Sequence, residues 1–456
     1  MTWPTPDRAA AAALGAALRA VDYSADTIEG LLDGEVGGER EEIVVAERRL
    51  SESALENAVR LLYLQLPVAE TRLPAEVAGP AVALGLAERN GGGLVPRSRI
   101  VPVDEILLAS DGFTRDADDP PDYVATYTPT ARTCDLLTPR PRVKRALDVG
   151  TGSGIHALLA AQHARVAVAT DVNPRALAYT ELNAALNGIG NVECRQGSFF
   201  EPAGDETFDL ITCNAPFVIS PETRWAYRDS AFGGDDLTAH VVREAAARLA
   251  DGGYATLLGS WLVVEEDLPE KRPAAWVKET GCDGWILTSI ESDALEHAAT
   301  WNGSFFSAPE AYASVLEQWT RYLADLGARG VGEGAILLHR RGGRPTMRVD
   351  EIDEDTLEDA DGQIRRAFAN RPRVKEILDL RLQRAMPLRL ERTLGKKKAE
   401  IVLEEGTCSI LPTTDGAADV VERLDGRRTL RRLKADNDAV RICRELLELG
   451  AVKIRD

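Results

Sequence analysis

From about residue 126 the chain alternates between two hydrophobic patterns. Short apolar runs occur at RALDVG (145–150), RVAVATDV (165–172), VECRQGS (192–198) and FDLITCNAPF (208–217). The first two and the fourth are each followed by a stretch with apolar positions at helical spacing: GIHALLAAQHA (154–164), PRALAYTELNAALNG (174–188) and LTAHVVREAAARLADGG (237–253). Further apolar runs at 254–262, 284–291 and 332–341 predict three more strands, with a helical pattern at 309–327 between the last two. Runs of 4–8 apolar residues separated by helices predict βαβ units, hence a parallel sheet covered on both faces. The block ends near residue 345.

The flanks read differently. Residues 1–125 predict a helical, winged-helix-like domain: helical spacing at 52–68, then a helix, a Gly-rich turn and two short strands across 73–111. The acidic, Pro-rich stretch 113–123 predicts a linker. Residues 346–456 open with an acidic connector at 351–362. A basic, helical stretch at 364–400 follows, then two helical patterns and a final strand, which together predict a small α+β, winged-helix-like domain.

Charge and composition narrow the function. The net charge of −19 argues against a surface that grips nucleic acid over its whole extent. Residues 365–398 nevertheless hold 12 basic and 3 acidic side chains, a candidate nucleic-acid contact. No apolar run approaches the ~18 residues that cross a bilayer, and the N-terminus lacks the pattern of a signal peptide. Six cysteines without a Cys-x-x-Cys pair fit reduced thiols in the cytoplasm. The five histidines form no ligand-like cluster, and no metal is expected.

The candidate chemistry sits where strands end. In LDVGTGSGIH, Asp148 precedes a turn of Gly150, Thr151, Gly152, Ser153 and Gly154 that leads into a helix. Glycines there permit a tight turn and close approach of a ligand. The spacing is Gly-x-Gly-x-Gly, which does not suit a nicotinamide enzyme. Asp171 ends the next strand, where a carboxylate can hold two ribose hydroxyls. After the fourth strand comes Asn214-Ala215-Pro216-Phe217.

These motifs resemble those of class I S-adenosylmethionine-dependent methyltransferases, and within them the Asn-Pro-Pro-Tyr/Phe amino-methyltransferases, the HemK-like glutamine N5-methyltransferases above all. Three further stretches share the resemblance: YTPTARTCDLL (127–137), GSFFEP (197–202) and the run at 228–258. The resemblance implies a Rossmann-like α/β fold with seven strands and a reversed last hairpin. It also implies S-adenosyl-L-methionine as cofactor. Tyr127 would help enclose the donor, the 150–154 turn would hold its methionine part, Asp171 its ribose, and Ser198 and Phe199 would lie along its adenine, with Asp148 and Asn214 also among the donor-binding residues. Ser198 stands where the family usually has Asp, and Ala215 where it has Pro. Asn214 and the Ala215 carbonyl would orient a planar nitrogen, with Pro216 stiffening the loop and Phe217 packing on a flat acceptor. The acceptor implied is a glutamine amide in a release factor or ribosomal protein. RNA base nitrogens (guanine N2, adenine N6) and a non-catalytic donor-binding protein are the alternatives.

Overall fold

The computed structural model describes residues 6–34, 40–113, 120–214, 216–222, 232–264, 267–306, 308–393 and 395–455. The alternating block forms one sheet. Its strands are β1 (Val143–Val149), β2 (Ala164–Asp171), β3 (Val192–Gln196), β4 (Phe208–Cys213), β5 (Leu249–Val264), β6 (Asp283–Asp293), β7 (Ala328–His339) and β8 (Met347–Glu351). Their order is β3-β2-β1-β4-β5-β7-β6-β8. β1 to β5 run parallel, and β7 lies antiparallel between β5 and β6. The first seven strands reproduce the expected sheet with its reversed hairpin.

Two expectations need correction. The sheet does not end at 345, because β8 pairs parallel with β6 and extends it to Glu351. The helix after β4 stops at Arg248 and Leu249 already belongs to β5. Gly252 then takes a left-handed φ of 81°, and the β4–β5 register shifts between Leu249 and Tyr254. The glycine pair therefore bends a strand instead of closing a helix.

Both faces of the sheet are covered, which is why its strands read as continuous apolar runs. Leu147, Val149, Ile211 and Leu257 pack with the helix Asp236–Arg248 on one side. The N-terminal region docks against the helix Pro174–Leu186, whose Tyr179, Leu182 and Leu186 share a core with Leu14 and Leu18. A Cβ on Gly15 would lie 1.9 Å from the Leu186 carbonyl oxygen, so this helix crossing requires glycine.

Within 73–111 the structure holds four strands after the helix Ala75–Ala83, not two: Ala87–Asn90, Gly93–Pro96, Ser98–Val103 and Ile106–Asp111. Gly91 and Gly92 (φ 59° and 85°) turn the first hairpin and Asp104 (φ 46°) the second. The short strand Val68–Ala69 joins the first pair. Of the expected linker, residues 114–119 lie outside the described residues. Beyond them the chain is anchored, the Val124 N–H donating to Asp111 Oδ2 at 2.8 Å.

The helical reading of 364–400 holds only for Asp361–Asn370 and a 3₁₀ stretch, Arg371–Asp379. The strands Arg381–Arg384, Leu388–Arg392 and Ala399–Leu403 follow. Pro387 and Gly395 interrupt any helix, and the alternating burial of Ala399–Leu403 has the period of a strand. Several arginines of the expected basic stretch are held by partners within the fold. Arg365 pairs with Asp361, Arg389 with Glu391 and Glu404, and Arg392 with Asp415, Asp419 and Glu422. Arg371 is buried and donates to the Gly284 carbonyl. Among the described residues no helix is long and apolar enough to cross a membrane.

Candidate functional site

A cavity of about 530 Å³ opens at the C-terminal ends of β1, β2 and β4. This is where a parallel α/β sheet places its ligands, because the connecting loops diverge there. Gly150, Thr151, Gly152 and Ser153 line it, with Asp171, Ser198, Phe199, Asn214, Pro216 and Phe217. The structure thus brings together ten of the residues singled out in the sequence.

The glycine-rich turn is held from beneath. Gly150, Gly152 and Gly154 all have left-handed φ (68°, 55° and 91°). A Cβ on Gly154 would sit 2.8 Å from Thr180 side-chain atoms, whereas one on Gly152 would meet nothing within 4 Å. Asp148 does not face the cavity. It is buried, and its carboxylate accepts from the Thr151 hydroxyl (2.6 Å), the Thr212 hydroxyl (2.8 Å) and the Ala157 N–H (3.2 Å). Burial raises its pKa, against these donors and nearby His156. Asp148 therefore shapes the turn from inside, because three donors converge on it.

Asp171 does face the cavity. Its Oδ2 accepts from the Gly152 N–H (2.9 Å) and its Oδ1 from the Asn173 N–H (2.8 Å), which aims the carboxylate across the turn. Burial raises its pKa while those N–H groups oppose the shift. Phe199 has φ 44°, and its ring makes edge contacts with Phe232 and His240 at 5.8 and 6.1 Å between centroids. The Thr170 hydroxyl donates to the Phe199 carbonyl at 3.0 Å. Ser198 keeps its place on the wall.

Asn214 follows β4 directly, and Pro216 and Phe217 continue the wall; Ala215 lies outside the described residues. The Phe217 carbonyl accepts from the Ser260 hydroxyl of β5. Tyr127 does not line the cavity: its hydroxyl donates to Asp135 at 3.3 Å, while its neighbours Thr126 and Thr128 reach the wall. The helix that begins at Pro129 turns the Tyr127 ring toward the apolar cluster of Val103 and Leu158.

Sequence reasoning missed Val172, Asn173 and Trp301. Val172 is 59% exposed although apolar, and it lines the cavity next to Asp171. An apolar residue just after the strand-ending acid was a usable signal. Trp301 had none, since it comes from the distant β6–β7 connection. Among the described residues no group of three or more His, Cys, Asp or Glu side chains could hold a metal ion.

Residues 134–272 match the family model described as Methyltransferase small domain. A ribosomal protein uL3 glutamine methyltransferase of Bradyrhizobium diazoefficiens is 33% identical over 166 residues, 33% of this chain and 52% of that protein. A release factor glutamine methyltransferase of Geobacter sulfurreducens is 34% identical over 145 residues, 29% of this chain and 48% of that protein. A release factor glutamine methyltransferase of Aliivibrio fischeri is 31% identical over 173 residues, 35% and 57% respectively. The chain spans about half the length of these relatives.

Proposed function

We propose that this chain, whose residues 134–272 match the family model described as Methyltransferase small domain, transfers a methyl group from S-adenosylmethionine to a planar nitrogen, the side-chain amide of a glutamine in a release factor or ribosomal protein. One observation carries the reading: Asn214, Pro216 and Phe217 open onto the same cavity as the glycine-rich turn and Asp171.

The residues present fit the donor. A turn of three left-handed glycines lets an elongated ligand lie against backbone, and the Asp171 carboxylate faces the cavity where hydroxyls can donate to it. The turn Gly150–Gly154 would hold the methionine part, Asp171 the ribose, and Ser198, Phe199 and Val172 the adenine. When bound, S-adenosylmethionine supplies an electrophilic methyl group.

The chain's own residues handle the acceptor. An amide nitrogen is a poor nucleophile because its lone pair is delocalised into the carbonyl. Asn214 would accept an N–H of the acceptor through its side-chain oxygen, and the Ala215 carbonyl would take the second. Both acceptors favour charge building on nitrogen and fix its plane. Neither needs to ionise. Pro216 biases the residue before it toward extended backbone. The glutamine acceptor is favoured by the names of the relatives and by the carboxylates that face Arg365, Arg389 and Arg392 in the segment otherwise suited to RNA.

The test is transfer of labelled methyl groups from S-adenosylmethionine to purified bacterial release factor and uL3. Asn214→Ala should lower transfer about 100-fold or more while leaving donor affinity within about twofold. Asp171→Ala should show the reverse emphasis, weakening the donor first. Unchanged transfer in Asn214→Ala would refute the mechanism.

A further inference from the structure

Trp301 belongs neither to the glycine-rich turn nor to the Asn214 loop, yet it stands on the wall of the same cavity. It ends the helix Ala294–Trp301, a short helix that the β6–β7 connection carries ahead of the longer helix Pro309–Asp325. This connection lies beyond residue 272, where the family match stops. Local chemistry defines the helix. Asp293 accepts from the N–H groups of Leu295 and Glu296, and the Glu296 carboxylate returns to the Asp293 N–H, a reciprocal cap that starts it sharply.

His297 and Trp301 are four residues apart and therefore share a helix face. Both turn toward the acceptor loop. His297 Nε2 donates to the Ile219 carbonyl at 3.0 Å. Val218 packs with Ala298 and Trp319, and Trp301 lies against that cluster. The indole N–H of Trp301 donates to Glu333 Oε1 of β7 at 3.3 Å, and the Glu333 side chain is only 12% exposed. A ring packed on one side and hydrogen-bonded at its edge keeps one orientation. Phe217, Val218 and Asn214 line the same cavity as Trp301.

We infer that Trp301 is an acceptor-binding residue, forming with Phe217 a flat apolar slot for the planar side-chain amide whose nitrogen Asn214 orients. Stacking an amide plane on an indole face is favourable and excludes water from the reacting nitrogen. Glu333 and His297 are positioning residues, the first for the ring and the second for the loop. The inference rests on the methyl-transfer reading above.

The experiment compares two ligands by calorimetry on the full chain. One is S-adenosylhomocysteine, which occupies only the donor half. The other is a bisubstrate compound: adenosine joined at its 5′ carbon through an alkyl chain to the side-chain amide of a short glutamine peptide. Trp301→Ala should bind S-adenosylhomocysteine as the wild type does, which also reports that the donor half has folded. It should lose about three- to tenfold on the bisubstrate compound, the range of one aromatic contact. Trp301→Phe should recover most of that loss. Equal loss on both ligands, or none on the bisubstrate compound, would overturn the assignment. A wild type that gains nothing from the amide arm would overturn it as well. A wild type that fails to bind S-adenosylhomocysteine would instead remove the methyl-transfer reading beneath it.

Discussion

Asn183 pairs with Ala109 as a neighbouring strand would. Its side-chain oxygen accepts the Ala109 N–H at 2.8 Å and its side-chain nitrogen donates to the Ala109 carbonyl at 2.8 Å. One turn on, Asn187 does the same to Leu107, at 2.9 and 2.8 Å. Two carboxamides at i and i+4 thus extend the edge of the hairpin strand Ile106–Asp111 onto the helix Pro174–Leu186. The Asn183 nitrogen also donates to the Ser153 carbonyl at 2.8 Å. The N-terminal hairpin and the glycine-rich turn therefore share one side chain.

Asn183→Leu should strand the buried N–H and C=O of Ala109 and the Ser153 carbonyl. The expected cost is about 3 kcal/mol of stability, several buried polar groups each losing a partner. Urea denaturation measures it. S-adenosylhomocysteine affinity should fall in the same variant, because the turn loses a tether. Asn187→Leu lacks the Ser153 bond and should spare that affinity.

Gly154→Ala and Gly152→Ala separate two reasons for glycine. Both place a Cβ at left-handed φ, which costs about 1 kcal/mol. Only Gly154 adds a collision, its Cβ falling 2.8 Å from Thr180. Thermal denaturation should show Gly154→Ala as clearly the less stable of the two. Equal effects would mean that Thr180 moves aside freely.

Asp148→Asn keeps the shape of the side chain and changes its donors. The Ala157 N–H cannot rotate, so the new amide nitrogen must face the Thr212 hydroxyl, which can turn to accept. The expected loss is about 1–2 kcal/mol. Asp148→Ala leaves all three donors unpaired and should cost about 3 kcal/mol or more. Chemical denaturation ranks the two, and a reversed order would show that the converging bonds do not hold the turn.

Glu56 carries an acid dependence that can be read directly. Burial pushes its carboxyl up, but hydrogen bonds from the hydroxyl and N–H of Ser51 and from the N–H of Ser53 outweigh it and hold the pKa at about 2. A lowered folded-state pKa contributes stability above the ordinary carboxylate range, and the contribution disappears as pH falls from about 4.5 toward 2. Glu56→Gln should cost about 1–2 kcal/mol at pH 7, only a small part of that at pH 2, and nothing below it. Unfolding curves of both proteins across that range should converge at the acid end.

Much of the site was legible in order along the chain. The alternation of apolar runs and helices determined β1 to β7 and the class of sheet. The Gly150–Gly154 turn and the Asn214 loop each follow a strand and Asp171 ends one, and strand ends of a parallel sheet meet at one edge. Local spacing was sufficient there because each element is specified by neighbours a few residues away. Where spacing misled, a breaker or a turn was underweighted: Pro387 and Gly395 divide a basic stretch into strands, and the Gly252–Gly253 pair bends β5.

Tertiary structure decided the rest, for a single physical reason. A side chain's partners are set by what the fold brings beside it, and that is not encoded in periodicity. Asp148 reads as a ligand contact, yet Thr212, 64 residues away, turns its carboxylate inward. Arg389 reads as a free cation, yet Glu404, just past the end of the next strand, pairs with it. Trp301 lies in a stretch where spacing predicted no element, and only the β6–β7 connection folding back over β7 and the Val218 loop brings it to the cavity wall.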